Sequence, residues 1–273
     1  MIVNKLTPVI GAEIFGINFS KNLNKQTLDT VYKLLIKNKV IFFPNQILKP
    51  QDHVLFAKSF GKIEPPHPVY PRLKNYPEIV LLENNKKKPP DTDVWHTDLT
   101  FKSNPPFASI LYSKIIPPEG GDTLWSCLNT IYDSLPRDIR KYLSKLKAVH
   151  DMGDFRNTFV KNEPLGEAIK LNNGFKKFGS SIHTVIKSHP ITKKKYLYIN
   201  PGFTNHIVGL NSTDSNNLLS YLFTFMNKPE FQLRYKWEKN TIAMWDNRCT
   251  MHYATADYLP HKRTMHRITI TKD

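Results

Sequence analysis

Five residues in this chain have types and spacings suited to metal and anion chemistry. Trp95-His96-Thr97-Asp98 sets a carboxylate two positions after an imidazole. His252 lies far downstream, in the stretch TIAMWDNRCTMHYATADYLPHKRTMHRITI, with Arg263 eleven residues later and Arg267 four beyond that. On an extended segment side chains alternate with period two, so His96 and Asp98 are expected to share one face. Two ligands on one face and a distant histidine make a 2-His-1-carboxylate triad. Such a triad holds non-haem Fe(II) and leaves positions open for a co-substrate and O₂. The planar fork of arginine binds a carboxylate or sulfonate through paired charge-assisted hydrogen bonds, so Arg263 and Arg267 read as two anion receptors. His252 alone reads more readily as a satisfied core histidine than as a ligand, and His-x-Asp recurs by chance. The combination in this order is the sharper signal.

The elements that must position these residues are legible in outline. Leu28, Val31, Tyr32, Leu35 and Ile36 fall at helical spacing between Lys25 and Lys37. Val40-Ile41-Phe42-Phe43 reads as a buried strand. A second helix starts near Pro50 and stops before Gly61, with Phe56 and Phe60 toward the core. Glu64 to Arg72 holds four prolines and reads as a rigid loop displaying His67 and Tyr70. Ile79 to Leu82 and Ala108 to Ile116 read as strands, and Gly120-Gly121 turns the chain into Asp122-Thr123-Leu124-Trp125. The polar stretch Glu83 to Asp93 is either an active-site lid or a surface excursion. Ile131 to Leu146 has mixed helical periodicity, Tyr196 to Ile199 reads as a strand, and a helix begins after the capping candidates Ser212 and Thr213. Phe231, Leu233, Tyr235 and Trp237 alternate with polar residues as in a half-buried strand. Ile242 to Trp245 and Met265 to Ile270 complete the set. Many short strands with a few helices toward the N-terminus predict a mainly β sandwich with flanking helices, in one domain over residues 1–273.

Composition removes several classes. A chain of 273 residues can bury a sizeable core. Its two cysteines, Cys127 and Cys249, exclude a disulfide scaffold, lack zinc spacing and fit a reducing compartment. No signal peptide and no membrane-length apolar run are visible, so a cytoplasmic protein with no membrane partner is expected. The formal charge of +16 comes mostly from scattered lysines rather than a basic stripe, and no nucleic-acid motif accompanies it, so no nucleic-acid partner is expected.

The chain resembles the taurine dioxygenase (TauD/TfdA) family of Fe(II)- and 2-oxoglutarate-dependent oxygenases. The resemblance rests on HPVYP from His67, WHTDLTF from Trp95, GGDTLW from Gly120, FRNTF from Phe155, GFT from Gly202, KPEFQLRYKW from Lys228 and WDNR…HYATADYLP…R…MHR, in that order. It implies a double-stranded β-helix, or jelly roll, with His252 arriving from the side of the barrel mouth opposite His96 and Asp98. It implies Fe(II) on His96, Asp98 and His252. It further implies 2-oxoglutarate and O₂ as co-substrates, the former held by Arg263, Thr123 and Trp245. Arg267, His67 and Tyr70 would face the anionic head of the substrate. Thr92, Leu99, Phe159 and Phe203 would line the rest of its pocket. The family's reaction consumes 2-oxoglutarate to succinate and CO₂ and, on taurine or a related sulfonate, releases sulfite and an aldehyde. Thr92 departs from the asparagine that taurine dioxygenase carries near the amine end, which leaves alkyl sulfates and aryloxyacids open as substrates. A homo-oligomer is expected. A non-catalytic jelly-roll binding protein accounts for the strands but not for three ligands and two arginines in register.

Overall fold

The structure, a computed structural model, describes residues 1–21, 23–65, 70–152 and 179–272. His67 and Phe159 lie outside the described residues. In chain order the strands are β1 (Ile2–Lys5), β2 (Ala12–Phe15), β3 (Val40–Phe43), β4 (Lys62–Ile63), β5 (Arg72–Leu73), β6 (Tyr76–Asn84), β7 (Ala108–Ile115), β8 (Thr123–Cys127) and β9 (Lys147–His150). They continue as β10 (Ser181–Thr184), β11 (Ile186–Ser188), β12 (Lys195–Leu197), β13 (Thr204–Ile207), β14 (Gln232–Tyr235), β15 (Ile242–Asp246), β16 (Thr250–Ala254) and β17 (Arg263–Thr271). The helices are α1 (Lys25–Asn38), α2 (Pro50–Lys58), α3 (Leu128–Ser134), α4 (Arg137–Leu143) and α5 (Ser212–Met226).

The large sheet runs β1-β2-β3-β15-β7-β17-β6-β5, with β4 added on β17. A smaller sheet, β14-β8-β16, faces it. Their apolar faces meet in one cluster that includes Phe42, Leu111, Trp125, Leu233, Tyr235, Trp237, Trp245 and Met265. Two sheets closed over such a layer form the expected jelly roll. The strand Val40–Phe43 shows why every one of its residues is buried. Val40 and Phe42 point into the layer between the sheets, while Ile41 and Phe43 pack with Val31 and Leu35 of α1 and with Val54 and Phe56 of α2. The strand is sandwiched, so it reads as a continuous apolar run rather than an alternation.

Several details differ from the sequence reading. The strand expected at Ile79 spans nine residues because β17 and β5 pair with it on both sides. The mixed periodicity after Ile131 resolves into α3 and α4, with Pro136 at the break. Asn211, not Ser212 or Thr213, caps α5 by accepting the Asp214 N–H. Helices are not confined to the N-terminal part: α3, α4 and α5 pack with Ala148, Leu197 and Ile207 in a second cluster.

Five histidines away from the metal-ligand candidates are buried in this framework, His53, His150, His183, His189 and His266, and three of them are pushed far down. His53, on α2, is driven down to about 3 by burial and then by His266. His150 falls to about 3 through burial and His183, and His266 to about 4 through burial and Lys114. A histidine whose folded pKa lies below the unfolded value of about 6.5 binds its proton mainly in the unfolded chain. Its contribution is therefore present above that pH and lost as pH falls, at about 1.4 kcal/mol per unit for each histidine. His53→Leu should lose stability less steeply than the native chain between about pH 6.5 and pH 4.5. Denaturant midpoints for both proteins across that range check this, and parallel slopes would refute it. Groups unchanged in the pair cancel in the comparison.

Candidate metal centre and its two chambers

The site is assembled from one irregular segment and the strands β16 and β17. His96 pairs with His252 through two backbone hydrogen bonds, His96 N–H to His252 O at 3.0 Å and the reverse at 2.8 Å. This corrects the expectation that His252 arrives from across the barrel mouth: the two imidazoles are neighbours, 4.2 Å between ring centroids. The expected His-x-Asp strand is also only partly present. His96 forms a single bridge, and the chain then turns at Asp98, with Leu99 at φ 55°. Asn247 imposes that turn. Its side-chain oxygen accepts the Asp98 N–H at 3.0 Å, and its amide donates to Asp98 O at 3.0 Å and to Pro106 O at 3.2 Å.

The carboxylate of Asp98 sits at the centre. Its Oδ1 lies 4.0 Å from His96 Nε2, 3.8 Å from His252 Nε2 and 3.3 Å from Arg267 Nη1. Its Oδ2 accepts from Ser109 Oγ at 2.7 Å. Burial works against this charge, but Arg267, the two histidines and Ser109 outweigh it and hold Asp98 at about 2. Burial also lowers both histidines, His252 to about 3 with His96 adding to it. His96 Nδ1 lies 2.8 Å from Val94 O, and a carbonyl only accepts, so Nδ1 carries the proton and Nε2 presents its lone pair. Two neutral imidazoles and an ionised carboxylate, with their ligand atoms within 4.8 Å of one another, are in the protonation states that a divalent metal requires. The donor set suits iron(II) in a facial triad.

Period-two alternation along β17 sets the rest. Arg263, Met265 and Arg267 point between the sheets, while Ile268 and Ile270 pack on the α1–α2 side. Two small chambers meet at the centre, sharing Thr92, His96 and Arg267. One is further lined by Thr123, Trp125, Trp245, His252 and Arg263. The other is lined by Tyr70, Val94, Leu99, Gly202 and Phe203. Among the residues foreseen from sequence, His96, Asp98, His252, Thr123, Arg263, Trp245, Tyr70, Thr92, Leu99, Phe203 and Arg267 thus converge on the two chambers. The stretch left open as lid or surface excursion is in part β6, and Thr92 at its far end is pinned by Ala254 N–H at 3.2 Å.

Arg263 is buried, and none of its hydrogen bonds goes to a carboxylate among the described residues. Its Nε donates to Gly121 O at 3.1 Å and its Nη2 to Thr123 Oγ1 at 3.3 Å. Burial pulls its pKa down. A buried guanidinium without a counter-ion is costly, and a ligand carboxylate relieves that cost. Gly121, at φ 70°, makes room for it: a Cβ there would lie 3.2 Å from Arg263 Cδ. Sequence reasoning missed Ser109, Asn247, Asp91 and Trp237. Asn247 stood in plain view inside WDNR, and Ser109 is a small polar residue on the strand face otherwise given to Leu111. Asp91 accepts from Tyr70 Oη at 3.0 Å, and burial raises it to about 6 against that hydrogen bond.

Known proteins match the chain over nearly its whole length. The family described as "Taurine catabolism dioxygenase TauD, TfdA family" matches residues 3–269. The chain belongs to the TauD/TfdA family. It is 34% identical over 267 residues to an alpha-ketoglutarate-dependent sulfate ester dioxygenase of Pseudomonas putida, covering 96% of this chain and 86% of that protein. An alkylsulfatase of Acinetobacter baylyi is 36% identical, with 98% and 84% covered. The crystal structure of a taurine dioxygenase from Burkholderia xenovorans superposes with a TM-score of 0.84 at 32% identity, covering all of this chain and 89% of that one. The protein is an alpha-ketoglutarate (2-oxoglutarate)-dependent dioxygenase with a jelly-roll fold. No helix among the described residues is long and apolar enough to cross a membrane.

A buried, carboxylate-free Arg263 predicts a specific loss. Arg263→Lys keeps the charge but not the fork, and the Kd for 2-oxoglutarate should rise by about tenfold or more. Calorimetric titration under nitrogen with Mn(II) in place of iron measures it. An unchanged Kd would remove Arg263 as the anchor.

Proposed function

We propose that the enzyme hydroxylates the carbon next to the head group of a sulfonate or sulfate ester whose chain is uncharged. The observation that carries this is the lining of the Tyr70 chamber. Arg267 is its cation, and Val94, Leu99, Gly202 and Phe203 give it apolar walls. Among the described lining residues the one carboxylate is Asp98, itself a metal-ligand candidate; Asp91 accepts the Tyr70 hydroxyl and is not among the lining residues, so no lining carboxylate is left to match an ammonium group. The relatives named for sulfate esters and alkylsulfatase activity support the same class.

In this reading His96, Asp98 and His252 hold Fe(II), and residues 1–273 act as one dioxygenase domain. When bound, iron supplies the oxidation: O₂ is spent on 2-oxoglutarate, which leaves as succinate and CO₂, and on the substrate, which gains a hydroxyl. Arg263 and Thr123 orient 2-oxoglutarate by its distal carboxylate, with Trp245 along its side. Arg267 grips the head group; its Nε is buried and has no hydrogen-bond partner among the described residues, so a donor is available. Tyr70 and His67 assist, and Leu99, Phe203, Phe159 and Thr92 confine the chain. These residues contribute aim, which decides which C–H is attacked. A hydroxyl on the carbon bearing the sulfur group collapses to an aldehyde, releasing sulfite from a sulfonate. The corresponding sulfate ester releases sulfate.

Taurine is a second reading, favoured by the likeness to a taurine dioxygenase structure. Thr92, a hydroxyl where that enzyme type carries an amide, and the uncharged walls weigh against it. A panel of hexyl sulfate, hexanesulfonate, taurine and an aryloxyacetate separates the readings. Succinate should form in step with sulfate or sulfite from the first two and poorly with taurine. Tight coupling to taurine alone would favour the second reading, and coupling to the aryloxyacetate alone would remove the sulfur head group.

A further inference from the structure

The chamber that holds Arg263 contains a hydroxyl whose direction is set by its neighbours. Thr123 is 2% exposed, and its Oγ1 receives two hydrogen bonds from groups that can only donate. The indole Nε1–H of Trp237 donates at 2.9 Å and the Arg263 guanidinium at 3.3 Å. A hydroxyl oxygen has two lone pairs and one proton. With both lone pairs engaged, the Thr123 oxygen has no acceptor capacity left. What remains is its own O–H, free to donate to an acceptor in the chamber.

Trp237 is well held for this task. It is 4% exposed and follows β14, and it packs edge-on to Phe42, near Trp125 and against Tyr235. Its hydrogen bond is not an incidental consequence of burial. Trp125 and Trp245, equally buried in the same cluster, have indole N–H groups with no partner among the described residues.

We propose that Trp237 is a positioning residue that makes the Thr123 hydroxyl an obligate donor, so that the chamber selects a carboxylate over an amide at the far end of the 2-oxo acid. The inference rests on the reading in which Arg263 and Thr123 receive 2-oxoglutarate. A carboxylate offers only acceptors to Arg263 and Thr123, and every hydrogen bond is made. The amide of 2-oxoglutaramate, the same acid with a terminal carboxamide, brings an NH₂ that Thr123 cannot accept from while Trp237 occupies its oxygen. A buried donor left without an acceptor is penalised far more than a satisfied one is rewarded.

The test is calorimetric binding of 2-oxoglutarate and 2-oxoglutaramate to the Mn(II)-loaded protein, for the native chain, Trp237→Phe, Thr123→Val and the double variant. Trp237→Phe keeps an aromatic ring in the core but removes the indole N–H together with part of the bicycle, which frees a lone pair on Thr123. The preference for 2-oxoglutarate over the amide should fall by roughly three- to tenfold in Trp237→Phe. The same substitution should have no further effect on that preference in the Thr123→Val background. A ratio between two ligands is insensitive to a uniform loss from loosened packing, so a merely structural Trp237 leaves it unchanged. An unchanged ratio in Trp237→Phe, or an equal drop with and without the threonine hydroxyl, overturns the proposal. Arg263→Gln is titrated alongside. If it binds 2-oxoglutarate as the native chain does, the chamber assignment itself fails; if it loses binding while Trp237→Phe keeps the native ratio, only the role of Trp237 fails.

Discussion

Everything in this site depends on keeping one carboxylate ionised where water is nearly absent. Asp98 is 4% exposed, and an isolated buried charge would take up a proton instead. Arg267, two imidazoles and Ser109 prevent that and hold Asp98 at about 2. Two of those four neighbours are also ligand candidates, and Arg267 is the cation lining the proposed substrate chamber. In the proposed reading, the group that would anchor the metal is thereby tied electrostatically to the group that would meet the substrate. Asn247 ties the same residue mechanically, closing both sides of its backbone so that the side chain turns toward the histidines.

The fold supplies the rest by alternation. One face of β17 delivers Arg263 and Arg267 to two chambers, with Met265 filling the layer between them. The facing sheet delivers His252 and Thr123 on paired strands, Ala254 opposite Thr123 and His252 opposite Trp125. Because two arginines four residues apart on a strand share a face, each can serve a different anion on either side of one metal position. The co-substrate and the substrate are then separated by geometry, not by charge type.

How much of this was legible follows from what carries the information. His96, Asp98, His252, Arg263 and Arg267 could be read because ligand chemistry restricts residue type and spacing, and their motifs stand in a familiar order. The strand Val40–Phe43 and α2 were legible from bulk and from Pro50. The local geometry at the centre was not. Period two suggested a strand through Asp98, but the clamp by Asn247, 149 positions away, overrides that preference. The His96–His252 bridge was likewise invisible, since it depends on how two distant segments align. Ser109 and Trp237 act through single hydrogen bonds to residues more than ten positions off, and nothing in their own neighbourhoods marks them.

The central claim is that His96, Asp98 and His252 form one metal site with Asp98 as its anionic member. Anaerobic calorimetric titration of the purified, chelator-treated protein with Fe(II) tests it directly, comparing the native chain with Asp98→Asn. The asparagine keeps the shape and an acceptor for Ser109 but removes the charge. The account predicts about one ion per chain for the native protein and an affinity at least roughly tenfold weaker for Asp98→Asn. Equal binding by both proteins, or no binding by the native chain, would contradict it.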